Sequence, residues 1–351
     1  MSVIEVSNNG GLASAYLPMS RREAETLAHG LYGIIGTATR FATEKDDTFR
    51  IDTSAGERFV LKVANPSEDE TEIDFQVRLM EHVARRDAGI PVPRVISTLK
   101  GPLHTYIHDL AGQRRIARMM SYAEGTPLDS TGSNAYEREK VGEILARLRL
   151  ATADFSHPGE TRVLAWDVQH LLKLAPLLDT VENPKHRNVL AIGIARYEEL
   201  APKIAKLRTQ VLHNDFSKSN IVVDHASREF VTGIIDFGDA VRTAVAIDVS
   251  TALLNQLPRD ARENPVEDLF AEGRDLLHGY LRIAKLTEQE MMLLPHLTMA
   301  RVVARALITL WRVKQFPENA TYIMRNTEQG WAQLDWFLAR SIDEVSATFL
   351  A

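Results

Sequence analysis

The sequence contains no cysteine among its 351 residues and has no excess of positive charge. Disulfide frameworks, thiolate zinc sites and cysteine nucleophiles are therefore excluded. A formal net charge of −6 leaves no basic footprint, so we expect no nucleic-acid partner. Apolar runs stay well short of the ~18 residues that span a bilayer, and the first residues lack the basic and apolar regions of a signal peptide. We expect a cytoplasmic protein with no membrane partner.

Apolar periodicity indicates an α+β protein with a small β-rich N-terminal part and a larger, mostly helical C-terminal part. The patterns predict, in chain order, a capped helix over 20–31, a hairpin of strands 48–53 and 58–64, a helix over 68–86, a strand over 116–122, and a second hairpin over 220–236 inside a region that is helical from 136 onward. We predict two lobes, residues 1–120 and 121–351, joined by a hinge at 119–125. A cleft between two lobes is a common place for small ligands.

The strongest chemical signal is the segment His213-Asn-Asp215-Phe-Ser-Lys-Ser-Asn220, which has the form H-x-D-x-x-x-x-N. Asp236-Phe-Gly follows 21 residues after Asp215. Phosphoryl transfer needs a carboxylate near the acceptor hydroxyl and metal ions on the phosphates. We assign Asp215 as the catalytic base, and Asn220 and Asp236 as oxygen ligands of Mg²⁺. The spacing favours a kinase catalytic centre over ordinary polar loops.

A lysine within an apolar strand is the second signal. Phe59-Val-Leu-Lys62-Val resembles the V-A-I-K strand of kinases, in which the lysine binds nucleotide phosphates. Its ammonium needs a negative partner, which we expect on the following helix. Glu72 has the required charge and is favoured, and Gln76 on the same helical face is the alternative.

Nucleotide contacts are expected on both sides of Lys62. The segment 119–125 would bind a purine through its backbone, with Met120 beside the ring. The segment 43–48 is the candidate phosphate-covering loop, although it contains no glycine. Backbone N–H groups of a nest can still bind phosphate in such a loop.

Four more residues receive roles. His213 and Asp248 are expected to be structural, with Asp248 capping a helix and holding the backbone of the His213 loop. Arg301 and Arg305 lie on one helical face and could bind a carboxylate of the substrate. The alternative is that these two arginines bridge elements of the core or lie on the surface.

The segments FVLKVANP, MMSYAEGTPL, VLHNDFSKSNIVVD and GIIDFGDAVRTAVAIDVSTAL resemble the aminoglycoside phosphotransferase and choline kinase superfamily. The likeness extends from Phe59 to Leu253 and is strongest to the hydroxylysine kinase-like branch, which includes phosphotransferase domains fused to class III aminotransferases. The resemblance implies a protein-kinase-like fold. It also implies that backbone groups of Ser121 and Ala123 read the purine.

The resemblance further implies transfer of the γ-phosphate of ATP or GTP, with Mg²⁺, to a hydroxyl of an amine-bearing small molecule such as an amino alcohol or a hydroxy-amino acid. Ser217-Lys218 departs from the Asn-Asp pair of the hydroxylysine branch, which weakens the assignment of hydroxylysine itself. The alternative is a nucleotide-binding pseudoenzyme that serves as a regulatory module.

Overall fold

A computed structural model describes residues 16–41, 43, 46–317, 320–324 and 327–351. Its N-terminal part is a six-stranded antiparallel sheet in the order β1-β2-β3-β6-β4, with β5 also paired to β6. The strands are β1 Gly36–Arg40, β2 Asp47–Thr53, β3 Arg58–Val63, β4 Val95–Ile96, β5 His104–His108 and β6 Arg114–Ser121. Helices Arg21–Tyr32 and Glu70–Arg86 accompany the sheet.

The predicted hairpin is confirmed as β2 and β3, and the predicted strand over 116–122 as β6. Strand β3 lies between β2 and β6, with Lys62 opposite Thr48 on one side and Arg118 on the other. Glu44 and Lys45 of the candidate phosphate-covering loop lie outside the described residues. From Asp47 onward this segment is already part of β2.

The C-terminal part is mostly helical, as predicted, and its helices surround two small antiparallel sheets. The sheets are formed by β7 Thr126–Pro127, β9 Ile221–Val223 and β10 Val231–Ile234, and by β8 Thr209–Leu212 and β11 Val241–Ala244. The α-helices are Ala135–Ala151, Pro184–Ile204, Val245–Leu254, Ala271–Ile283, Glu288–Gln315, Ala320–Met324, Glu328–Leu338 and Ile342–Leu350, and the longest 3₁₀ segment is Val168–Thr180. The proposed lobe boundary at 119–125 coincides with the end of β6.

The long helix Glu288–Gln315 is the central element of this part. By length and composition it could cross a membrane, yet 83% of its apolar window is buried inside the protein. Its neighbours are other helices and the 3₁₀ segment Val168–Thr180. A core helix of a globular domain has these properties, because it is apolar all round.

Two glycines allow helices Ala135–Ala151 and Ala271–Ile283 to pack in direct backbone contact. A Cβ at Gly142 would lie 1.8 Å from the carbonyl oxygen of Leu276, and a Cβ at Gly279 would lie 1.9 Å from that of Glu139. Neither backbone oxygen can move aside as a flexible side chain could. Any side chain at either position would therefore force the helices apart.

The predicted helix starts are correct to within a few residues, but their capping differs in part. Ser20 accepts a hydrogen bond from Glu23 N at 3.2 Å, whereas the carboxylate of Glu23 accepts from Leu110 N at 2.6 Å. Asp248 was expected to cap a helix, and this is wrong. The helix begins at Val245, so that Asp248 lies in its first turn and points to the catalytic loop.

Candidate active site

The loop between β8 and β9 carries the H-x-D-x-x-x-x-N motif, and buried side chains behind it hold its backbone in place. Asp248 accepts a hydrogen bond from Asn214 N at 2.7 Å, as the structural role expected for it requires. Burial raises the pKa of Asp248 to about 6, although the nearby charge of His213 acts to lower it. Asn214 has a φ of 61°, a left-handed conformation that asparagine tolerates better than most residues. The loop thus has a defined shape at the residue before Asp215.

His213 supports the same loop from the other side. Its Nε2 lies 3.0 Å from the carbonyl oxygen of Ile235, and its ring packs against Phe237 at 4.7 Å between centroids. A carbonyl can only accept, so Nε2 carries the proton. His213 therefore ties the catalytic loop to the end of β10, which is the structural role expected for it.

Asp215 and Asn220 face each other across the loop. Asn220 Nδ2 donates to Asp215 Oδ2 at 2.7 Å and to its backbone oxygen at 3.0 Å. Burial raises the pKa of Asp215, and the nearby charge of Asp236 raises it further, while Arg301 opposes the shift. A carboxylate with a raised pKa, fixed by an amide and a third exposed, is suited to accept a proton from a bound hydroxyl.

Asp236 follows β10 and adopts a left-handed conformation, with φ 60° and ψ 75°. Its carboxylate accepts from Gly238 N at 3.3 Å and lies 3.9 Å from Lys62 Nζ, across the cleft. The charge of Lys62 lowers the pKa of Asp236. The carboxylate nearest to the strand lysine is therefore that of the DFG aspartate, and not one on the helix Glu70–Arg86 as expected.

The residues expected to hold Mg²⁺ suit a hard cation. The described contacts of Asn220 engage its Nδ2 amide group, which leaves Oδ1 for a ligand, and the Asp236 side chain is 55% exposed. Nowhere in the described ranges do three His, Asp or Glu side chains converge as a metal site. A cation held by Asn220 and Asp236 would therefore need phosphates and water to complete its coordination.

Asp239 adds a third carboxylate near those of Asp215 and Asp236. Burial and the charges of Asp215 and Asp236 raise the pKa of Asp239 to about 6. Its backbone oxygen accepts from Asn214 Nδ2 at 3.3 Å. The three neighbouring carboxylates create an excess of negative charge that a divalent cation would neutralise.

The predicted ion pair between Lys62 and Glu72 is absent from the described part of the chain. Glu72 Oε2 instead lies 2.9 Å from Arg162 Nη1, and Arg162 also donates to the backbone oxygens of Gly238 and Ala240. The alternative partner, Gln76, accepts from Arg118 at 3.2 Å. Through Arg162, Glu72 is therefore linked to the loop after Asp236.

In the predicted hinge, one of the backbone N–H groups expected to be available for a purine already donates a hydrogen bond within the protein. Ser121 N donates to Arg94 O at 2.8 Å, so this N–H is already engaged, and the predicted purine contact of Ser121 would have to use its carbonyl group. Met120 is buried in β6 and pairs with Val60. Among the backbone hydrogen bonds of the described residues, none has Ala123 N–H as its donor. Ala123 stays the hinge residue that we assign to the purine.

Arg301 lies in the site, but it faces the catalytic loop. It is 7% exposed, donates to the backbone oxygens of Trp166 and Asn214, and lies 3.8 Å from Asp215 Oδ1. These contacts fit the alternative in which Arg301 bridges elements of the core, and its contact with a substrate stays a prediction. Arg305, one turn further along, donates to Gln333 Oε1 at 3.3 Å.

The fold and the paired loops can be compared with known proteins. The model of the phosphotransferase enzyme family (APH) matches residues 37–286, which is most of the chain. The chain belongs to this family. It is a small-molecule phosphotransferase with a hydroxyl group as acceptor, and its α+β fold is protein-kinase-like, as predicted.

Curated relatives of this phosphotransferase include two kinds of kinase. Hydroxylysine kinase of Mus musculus is 24% identical over 346 residues, which cover 92% of this chain and 90% of the relative. Homoserine kinase of Beijerinckia indica subsp. indica is 28% identical over 282 residues, which cover 79% and 80%.

Two solved structures have the same fold as this phosphotransferase. A microcompartment-associated aminopropanol kinase has a TM-score of 0.70 at 19% identity, covering 90% of this chain and 97% of its own. The amicoumacin kinase hAmiN, in complex with AMP-PNP, Ca²⁺ and Ami, has a TM-score of 0.67 at 17% identity, covering 93% and 95%. At these identities the likeness concerns the fold.

Sequence reasoning missed two supports of the site. Arg162 carried no motif, because its role depends on contacts with residues 76 to 90 positions away. Asp167 is fully buried and accepts from Thr243 Oγ1 at 3.0 Å, which fixes the segment whose Trp166 oxygen binds Arg301. The tripeptide Ala-Trp-Asp167 within the family-like segment LAWDV was the available signal.

Proposed function

We propose that this phosphotransferase transfers the γ-phosphate of ATP or GTP, with Mg²⁺, to the hydroxyl of an amine-bearing small molecule. The acceptor would be an amino alcohol or a hydroxy-amino acid. Relatives named hydroxylysine kinase and homoserine kinase, and a fold neighbour named aminopropanol kinase, support this class.

The juxtaposition of four side chains carries the proposal. Asp215 is hydrogen bonded to Asn220 on one loop, and Asp236 lies 3.9 Å from Lys62 across the cleft. Lys62 would clamp the nucleotide phosphates, and Asn220 with Asp236 would hold Mg²⁺, which neutralises charge on the phosphates when bound. Asp215 would orient the acceptor hydroxyl and take its proton.

The test is nucleotide turnover with Mg²⁺ against hydroxylysine, homoserine, aminopropanol, ethanolamine, choline and an aminoglycoside, each with ATP and with GTP. One acceptor should stimulate turnover, and Asp215→Asn should lower kcat by about 10²–10⁴-fold. Nucleotide affinity should stay within a few-fold, because this carboxylate acts on the acceptor. Asp343→Ala, an exposed carboxylate in the last helix, is the matched control.

The metal assignment needs a separate measurement. Asp236→Ala should weaken Mg²⁺-dependent nucleotide binding in calorimetry, whereas Asp215→Asn should not. Equal loss of binding and turnover in Asp215→Asn would contradict the base role. Tight nucleotide binding with no acceptor-stimulated turnover would instead favour a pseudoenzyme.

A further inference from the structure

Three basic side chains close to the catalytic loop make no ion pair with any carboxylate of the described chain. They are Lys218, Arg259 and Arg305. Arg138, by contrast, pairs with Asp275 at 2.8 Å. Cations that the protein itself leaves unmatched are candidates for an anionic ligand.

Arg305 is the most informative of the three. It lies one turn after Arg301 on the helix Glu288–Gln315, so the two side chains share a face, and Arg301 is 3.8 Å from Asp215. The hydrogen-bond acceptor of Arg305 is the neutral amide of Gln333. Burial lowers the pKa of Arg305 to about 10, and the charges of Arg301 and Arg259 lower it further. A partly buried guanidinium among cations lacks a counter-charge.

The other two cations approach from different elements. Gln333 Nε2 donates to Pro258 O at 3.0 Å, which brings the exposed Arg259 to the side of Arg305. Lys218 lies three residues after Asp215 on the catalytic loop itself. The carboxylate of Glu272, which belongs to a neighbouring element, lies 3.6 Å from Arg138 as its ion-pair partner.

We propose that Arg305, with Arg259 and Lys218, forms an anion subsite that binds the carboxylate of the acceptor. The inference rests on the proposed function and narrows it, because amino alcohols without a carboxylate leave the subsite unmatched. The acceptor is then a hydroxy-amino acid whose hydroxyl reaches Asp215 while its carboxylate reaches Arg305. Arg305 lies one helical turn from Arg301, at about 5–6 Å between their Cβ atoms, and Arg301 lies 3.8 Å from Asp215 Oδ1.

Matched acceptor pairs test the subsite directly. Homoserine is compared with 3-amino-1-propanol, and hydroxylysine with its decarboxylated diamino alcohol, because each pair differs by the carboxylate. The wild-type enzyme should have the higher kcat/KM for the acid. Arg305→Met should lower kcat/KM for the acid by about 30-fold, mainly through KM, and that for the amine by less than about threefold.

Further variants guard against a purely structural effect. Arg259→Ala concerns an exposed side chain that the fold does not need, and it should lower kcat/KM for the acid by about fivefold. Arg305→Lys should restore part of the preference for the acid. Arg21→Ala, an exposed arginine on the first helix, should change neither acceptor.

Two results would overturn the subsite while leaving the kinase intact. One is a wild-type enzyme that uses the amine as well as the acid, and the other is an equal loss for both acceptors in Arg305→Met and Arg259→Ala. If Arg305→Met does not fold, the Arg259→Ala result decides alone. Absence of turnover with every hydroxyl acceptor would overturn the proposed function and the subsite with it.

Discussion

Replacement of Arg162 by methionine removes the contact that joins the small lobe to the loop after Asp236. Arg162 binds Glu72 of the helix Glu70–Arg86, and it donates to the backbone oxygens of Gly238 and Ala240. Its guanidinium carbon also lies 5.7 Å from the centre of the Phe75 ring. Methionine keeps most of the volume and loses all the donors.

The magnitude follows from the burial of the pair. The side chain of Arg162 is 10% exposed and that of Glu72 is 23% exposed, so solvent screens the charges in part. Breaking a fully buried pair costs about 3–5 kcal/mol, and an exposed pair contributes less than about 1 kcal/mol. We expect Arg162→Met to lower the free energy of unfolding by about 2–3 kcal/mol.

The double variant Arg162→Met/Glu72→Gln should recover part of this loss, because the carboxylate is then no longer left without its cation. Urea unfolding of the wild type, both single variants and the double variant gives the coupling energy, expected at about 1–2 kcal/mol. Mg²⁺-dependent nucleotide affinity should fall about tenfold in Arg162→Met, because the loop after Asp236 loses the contacts that order it. A tenfold fall corresponds to about 1.4 kcal/mol of binding free energy.

Arg162→Lys is the matched control, because it keeps the charge and cannot reach both backbone oxygens and Glu72 together. It should retain stability better than it retains Mg²⁺ affinity. A coupling energy near zero, together with unchanged Mg²⁺ affinity in Arg162→Met, would refute the reasoning.

Two further predictions concern stability. Burial lowers the pKa of His296 to about 4, and its Nε2 lies 2.9 Å from Ser346 Oγ. The unfolded chain therefore binds a proton that the folded state does not, and stability should fall by up to about 3 kcal/mol between pH 7 and pH 4. His296→Gln should flatten this dependence in urea titrations, and an unchanged slope would contradict it. Asp248→Ala should lower the free energy of unfolding by about 1–3 kcal/mol, because Asn214 N–H is left without its acceptor, and Asp248→Asn should lower it less. Thermal unfolding followed by circular dichroism measures both losses. Equal losses in the two variants would count against the hydrogen bond.

The sequence was informative wherever chemistry restricts residue type and spacing together. Asp215 and Asn220 must share one loop, and Asp236 must return beside them, so a short hairpin between them was predictable. Lys62 was predictable for a related reason, because a lysine in an apolar strand needs a negatively charged partner, although the partner found is Asp236 and not a residue of the following helix.

The pairing of Glu72 could not be predicted in the same way. Its charge was recognised, but the choice between Lys62 and Arg162 depends on how the Pro158–Thr161 turn approaches the helix Glu70–Arg86. Strand β5, with the sequence His-Thr-Tyr-Ile-His, was missed because it is half polar and forms one edge of the sheet. Such pairings are set by tertiary contacts that carry no local pattern.

The backbone contact at Gly142 and Gly279 also bears on how this enzyme can diversify. In a saturation-mutagenesis library, both positions should tolerate no replacement, since even alanine meets a carbonyl oxygen below 2 Å. The connection 255–270, which carries Arg259, leads directly into the second of these helices. Its far end is thus attached to a helix in direct backbone contact with its neighbour, and we expect changes in that connection to alter acceptor preference without disturbing the helix pair.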